Sequence, residues 1–188
     1  EEKTSNALRI LGWDGSQTFA QAHEYDYLMA ADANLGNKSN HSILRQLTYD
    51  VLVNPDGTLN SRVSIDYDYP DAIAKDDPAV NPEFHGPISY NNLLQVFVPD
   101  RSTLTGTNNV GIDPITTLED QFTIFVSRVY LAYDTSARYQ FSYKTPPLLT
   151  ETGGYYVYRL LAQKQPGTDV QNLNVQLSLP ADAKIVST

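Results

Sequence analysis

The sequence predicts a mainly-β chain, folded as an antiparallel β-sandwich of about seven to nine strands with a short N-terminal helix. Three observations carry that expectation. Apolar and polar residues alternate with a period of two over several stretches. Turn-forming clusters such as Asn54-Pro55-Asp56-Gly57 separate those stretches. Tyrosine is abundant, with 13 residues against 6 Phe and 1 Trp, and it suits half-buried strand surfaces. Half-apolar sheets bury each other most economically as two layers.

Residues 4–11 open the chain with helical spacing of Ala7, Leu8 and Leu11, a cap at Thr4 or Ser5, and a stop at Gly12. Residues 1–12 read as the tail of a preceding helical region, and residues 1–188 as one domain. Tyr25–Ala33 is an apolar run bounded by acids, predicted as a strand buried on both faces. From Ile43 to Tyr69 the alternation is clean. Arg45, Leu47, Tyr49, Val51 and Val53 share one face, and Leu59, Val63, Ile65, Tyr67 and Tyr69 continue it after the turn. Asn-Pro-Asp-Gly suits a type I turn followed by a left-handed glycine.

Pro70–Pro87 is proline-rich and predicted as a long surface loop. Tyr90–Pro99 is the next strand, and Arg101–Leu118 is irregular with room for a short edge strand. Phe122–Tyr133 and Arg138–Lys144 are predicted to form a hairpin about Asp134-Thr135-Ser136-Ala137. Tyr155–Gln163 and Leu173–Leu179 are predicted to pair as the last two strands.

Composition narrows the function. A 41% hydrophobic content supports a sizeable core. The net charge of −9 disfavours phosphate backbones, so nucleic acid is not expected as a partner. The absence of cysteine excludes disulfides, thiol catalysis, cysteine zinc sites and iron–sulfur clusters. No apolar run in the sequence is long enough for a membrane-spanning helix.

Several stretches together resemble a bacterial family of envelope-associated proteins whose domain is named only as a domain of unknown function. They are Gly12-Trp13, then Asp26-Tyr27-Leu28 running into Asp32-Ala33-Asn34-Leu35, and Lys38. Leu94-Gln95-Val96-Phe97-Val98-Pro99 and Gln163-Lys164-Gln165-Pro166-Gly167-Thr168 follow. The resemblance implies a membrane anchor and a helical region ahead of this part, an extracellular or cell-surface location, and a link to surface polysaccharide. It implies no catalytic residues.

Candidate sites fall in three groups. Asp32, Asn34, Asn37, Lys38 and Asn40 crowd within nine residues and form a candidate recognition loop for sugar hydroxyls, although Asn and Gly also serve tight turns. Asp66, Asp68, Asp71, Asp76 and Asp77 offer hard oxygen ligands for calcium, without an EF-hand loop, and Asp66 and Asp68 are explained as the wet face of a strand. Tyr155, Tyr156 and Tyr158 are candidates for stacking on sugars, whereas Tyr67 and Tyr69 fall on an apolar face and read as core. No Gly-x-Ser-x-Gly elbow or phosphate loop is present, and His23, His41 and His85 read as surface residues.

The leading expectation is a non-enzymatic structural or binding domain of an exported envelope protein, with a surface polymer or a protein as partner and no cofactor, calcium being the one candidate. One alternative is an enzyme acting on envelope polysaccharide, with Asp26 and Asp32 as its acids. The other is a calcium-dependent adhesion module.

Overall fold

The long period-two stretch folds as its pattern dictates. In the computed structural model, which describes residues 25–36, 39–70, 89–110, 115–119, 121–168 and 172–186, β2 (Leu44–Val53) and β3 (Leu59–Tyr69) pair antiparallel from Leu44↔Asp68 to Val53↔Leu59. The turn between them is closed by Gly57 N donating to Asn54 O at 3.0 Å and Asn54 N donating to Thr58 O at 2.9 Å. Gly57 sits at φ +78°, the left-handed conformation that the sequence assigned to it. Tyr49, Val63, Ile65, Tyr67 and Tyr69 all point inward and are buried.

The remaining strands are β1 (Asp26–Asn34), β4 (Tyr90–Pro99), β5 (Thr103–Asn108), β6 (Ile115–Glu119), β7 (Phe122–Leu131), β8 (Thr135–Lys144), β9 (Thr150–Thr152), β10 (Tyr155–Val157), β11 (Leu160–Ala162) and β12 (Asn172–Ser178). They form two five-stranded sheets, β11-β1-β4-β7-β6 and β12-β2-β3-β8-β5, and a two-stranded ribbon, β10-β9. The two large sheets enclose one core. Leu28, Leu94, Val96 and Phe125 come from the first, and Leu47, Val51, Ile65 and Phe141 from the second. The rings of Phe125 and Phe141 stack across the layers with centroids 6.3 Å apart. The opposite face of the first sheet carries a smaller cluster of Tyr27, Met29, Phe97, Phe122 and Ile124. Between its two acids β1 thus packs apolar side chains on both faces, Leu28 and Ala30 on one and Tyr27 and Met29 on the other.

This architecture corrects the predicted fold class. Among the described residues, twelve strands in three sheets replace about seven to nine strands in an antiparallel sandwich. The irregular stretch after Arg101 supplies two strands, β5 and β6, where one edge strand was expected. Two pairings are parallel, β1 with β11 and β2 with β12. No α-helix occurs among the described residues, and a single 3-10 turn spans Ser39–Ser42. The helix expected at residues 4–11 and the loop expected at Pro70–Pro87 lie outside the described residues, apart from Pro70.

Two predicted strand pairs are also replaced. β7 and β8 are consecutive but do not pair. β7 joins β4 and β6 in one sheet, while β8 joins β3 and β5 in the other. The turn between them, with Asp134 at φ +55°, carries the chain from one layer to the other. Likewise β12 pairs with β2, and β11 with β1, instead of with each other. Alternation specifies which face of a strand is apolar. It carries no information about the neighbour that completes the sheet. No helix among the described residues is long and apolar enough to cross a membrane.

Candidate functional site

β1 directs Asp26, Leu28, Ala30, Asp32 and Asn34 to the inner side of its sheet, because side chains on a strand repeat every second residue. Two carboxylates thus face a core-forming layer. They lie six residues apart, a separation of about 20 Å along an extended strand. Glycoside hydrolysis needs paired carboxyls about 5–9.5 Å apart. Asp26 and Asp32 therefore cannot act as such a pair, and each has its own set of partners.

Asp26 is completely buried. Tyr49 Oη, from the facing sheet, donates to its carboxylate at 2.8 Å, and Tyr158 Oη donates to the same oxygen at 2.7 Å. Tyr143 Oη donates in turn to Tyr49 Oη at 2.9 Å, and Ser61 Oγ lies 3.1 Å from that hydroxyl. The carboxyl is pushed up to about 6, because burial outweighs the hydroxyl and backbone hydrogen bonds that favour its charge. Burial likewise raises the hydroxyls of Tyr49 and Tyr143 well above the ordinary tyrosine value. This aspartate ties together β1, β2, β8 and the segment before β11. It is sealed from any substrate.

Asp32 is held differently. Arg45 donates through Nη1 to Asp32 Oδ2 and through Nη2 to the Ala30 carbonyl at 3.0 Å. Tyr67 Oη donates to Asp32 Oδ1 at 2.7 Å, and Asn92 Nδ2 donates to the same oxygen. The Arg45 and Asp32 side chains are 6% and 10% exposed, so the ion pair is desolvated and depends on these added bonds. The Asp32 backbone is engaged as well. Gln165 Oε1 accepts from Asp32 N at 2.8 Å, and Gln165 Nε2 donates to Asp32 O at 3.0 Å. A side-chain amide here continues, beyond Ala162, the pairing that β11 begins along β1. Gln163 does similar work one turn of the pleat earlier, accepting from Tyr27 Oη at 2.8 Å and donating its backbone N–H to Leu28 O at 2.9 Å.

The accessible polar surface lies elsewhere, around the end of the second large sheet where β2 begins and β3 ends. A groove of about 680 Å³ crosses β2, β3 and β8. Gln46, Asp66 and Arg138 lie in one cross-strand row, and Leu44, Asp68 and Ser136 in the next. Arg138 makes two bonds to Asp66, from Nε at 2.6 Å and from Nη2 at 2.9 Å, and Ser136 Oγ donates to Asp68 at 2.6 Å. Asn172 of β12, opposite Gln46 in the register, adds a second amide. Arg45 and Tyr67 also reach this groove, so it abuts the Asp32 ion pair.

The structure places the sequence-predicted residues as follows. Asp32 belongs to a strand and is inside, not in a recognition loop. Asn34 donates to Asn40 and accepts from Gly36 N at 2.8 Å, a side-chain turn that shapes the exit from β1. Asn37 and Lys38 lie outside the described residues, as do Asp71, Asp76 and Asp77. Asp66 and Asp68 are partnered across β8 by Arg138 and Ser136. Among the described residues, no group of three or more acidic or histidine side chains is placed to hold a metal ion. Tyr67 and Tyr69 are core residues, as read from the sequence. Tyr155 and Tyr156 are 56% and 72% exposed, while Tyr158 turns inward to Asp26.

Sequence reasoning missed the groove and the roles of Gln163 and Gln165. One signal was available for the buried acids. Asp26 and Asp32 share the parity of Leu28 and Ala30, which puts charge on an inward face. The chain matches no family model, no curated protein and no solved structure.

Proposed function

We propose that this chain is a non-enzymatic binding domain of an exported bacterial envelope protein, displayed at the cell surface, and that it holds a surface polysaccharide in the groove across β2, β3 and β8. The observation that carries the reading is the makeup of that groove. It combines carboxylates, a guanidinium, a hydroxyl and amides, presented from adjacent strands whose register fixes their spacing. Vicinal sugar hydroxyls are both donors and acceptors, and such a set answers both. The two inward carboxylates are meanwhile committed to the scaffold.

The envelope location rests on the acidic, cysteine-free composition and on the family resemblance. Two of the stretches that carry this resemblance touch in space, through Gln163 and Gln165 on Tyr27, Leu28 and Asp32. Residues far apart in sequence thus have a shared structural role.

Calorimetric titration with a panel of neutral and acidic bacterial polysaccharides tests the reading. Binding that is lost in Gln46→Ala and in Arg138→Ala, both with unchanged melting temperature, is the expected result. No heat with any polymer at about millimolar sugar concentration, or binding untouched by both substitutions, removes the reading. Labelling of intact cells with an antibody to this domain tests the location, and labelling confined to lysed cells overturns it.

A further inference from the structure

The four outer edges of the two large sheets are not equally protected. β11 is a three-residue strand, and β6 is a five-residue strand. β5 carries a register shift between Leu104 and Gly106, a bulge that bends an edge away from incoming strands. β12 has none of these features. Its seven residues, Asn172–Ser178, pair with β2 without interruption and contain no charge, proline or glycine. Among the described residues no strand pairs with the outer edge of β12, and natural proteins ordinarily guard such an edge with Lys, Pro or a bulge. On the core side of the same strand, Val175 and Leu177 remain 44% and 42% exposed.

We propose that β12 is an interface for a second copy of this chain, which adds its own β12 antiparallel across a two-fold axis at Val175. The sequence Asn-Leu-Asn-Val-Gln-Leu-Ser is self-complementary about that residue. Antiparallel pairing sets Val175 against its own counterpart, Leu173 against Leu177, Asn174 against Gln176, and Asn172 against Ser178. Apolar side chains then meet on the core side and amides on the outer side. A two-fold interface requires this property, since one patch serves both partners. Charge favours the same site. The chain carries −9 overall, yet β12 brings no charge to the junction, so the two strands meet without like charges directly opposed. Seven residues a side fall short of the 20–30 typical of a stable interface, so the dimer is weak, with a dissociation constant of about 10–100 μM.

The absence of cysteine makes the register directly testable. Opposed residues in an antiparallel pair have Cα atoms about 4.5–5.5 Å apart, within the range a disulfide spans. Val175→Cys is expected to form a disulfide-linked dimer on mild oxidation. A mixture of Leu173→Cys and Leu177→Cys is expected to cross-link between the two variants faster than either does alone. Tyr156→Cys, on the exposed ribbon, is the control for random collision. In sedimentation equilibrium the unmodified chain is expected to shift from monomer to dimer with concentration. Val175→Lys is expected to weaken that association at least about a hundredfold while its circular dichroism stays unchanged. Should Val175→Lys not fold, the cysteine pairs decide alone. Cross-linking no faster than that of Tyr156→Cys, faster linking within Leu173→Cys alone than in the mixture, or a wholly monomeric wild-type chain overturns the proposal.

Discussion

Tyr158 Oη donates to the Asp26 carboxylate at 2.7 Å, joining a residue just before β11 to the first residue of β1. The bond spans 132 positions of sequence. It fastens the segment that covers one edge of the first sheet to the centre of the molecule. Tyr158→Phe keeps the ring and removes the donor. The expected cost is about 1–3 kcal/mol, because the acceptor is charged and buried. Thermal melts read this as a fall of about 2–4 °C per kcal/mol. The Asp26 carboxyl is expected to titrate still higher, since this hydroxyl is one of the groups that favour its charge.

Asp26 also gives stability an unusual pH dependence for a carboxylate. Its folded value rises from 3.8 to about 6. Between those values the folded protein keeps a proton that the unfolded chain has lost. Stability from this group is therefore full below about pH 4 and is lost as pH rises through 6, a difference of about 3 kcal/mol. Urea unfolding at intervals from pH 4 to 7 is expected to show that decline in the wild-type chain. In Asp26→Asn the decline is expected to vanish, and equal slopes in both proteins would refute the assignment.

The Arg45–Asp32 pair behaves as a buried ion pair whose value lies in being complete. Arg45→Met leaves the Asp32 carboxylate with Tyr67 and Asn92 but no countercharge. The expected loss is about 3–5 kcal/mol in chemical denaturation. Arg45→Lys is expected to recover only part of it. A single ammonium does not reproduce the fork that reaches Asp32 and the Ala30 carbonyl together.

Gly57 closes the β2–β3 turn at φ +78°. A Cβ there would meet Pro147 Cβ at 3.6 Å, an ordinary contact, so the obstacle to substitution is the backbone and not space. Gly57→Ala is expected to cost about 1–2 kcal/mol, and Gly57→Asn less, because Asn tolerates this conformation. Equal stability of Gly57→Ala and wild type in denaturant titration would refute this.

Much of the β structure was legible because period-two patterning is a local property. Leu47, Tyr49 and Val51 on one face of β2, with Gln46, Thr48 and Asp50 on the other, specify a half-buried strand without reference to anything else. Partners were not legible. Phe125 and Phe141 belong to strands separated by a short turn, yet they stack from opposite layers. Nothing in either strand's alternation distinguishes that arrangement from a hairpin. The candidate site shows the same division. Asp32 stood out as an acid in a polar stretch, but its meaning depends on Arg45, Tyr67, Asn92 and Gln165, which come from four other parts of the chain. Gln46 and Arg138 looked like ordinary wet-face residues, and only the lateral order of β2, β3 and β8 brings them to one groove.

Among the described residues, the parallel strands β11 and β12 complete the two large sheets, laid against β1 and β2, which precede them by more than a hundred residues. This arrangement has a consequence for biogenesis. As the chain is made from its N-terminus, β1 and β2 wait with one open side until residue 160 and then residue 172 have emerged. The closing pairings span long stretches of sequence, which slows folding and prolongs the exposure of sticky intermediates. The nascent domain is therefore expected to depend on a holding chaperone until its final strands are in place, and a chain truncated before β11 is expected to aggregate instead of folding as a smaller domain.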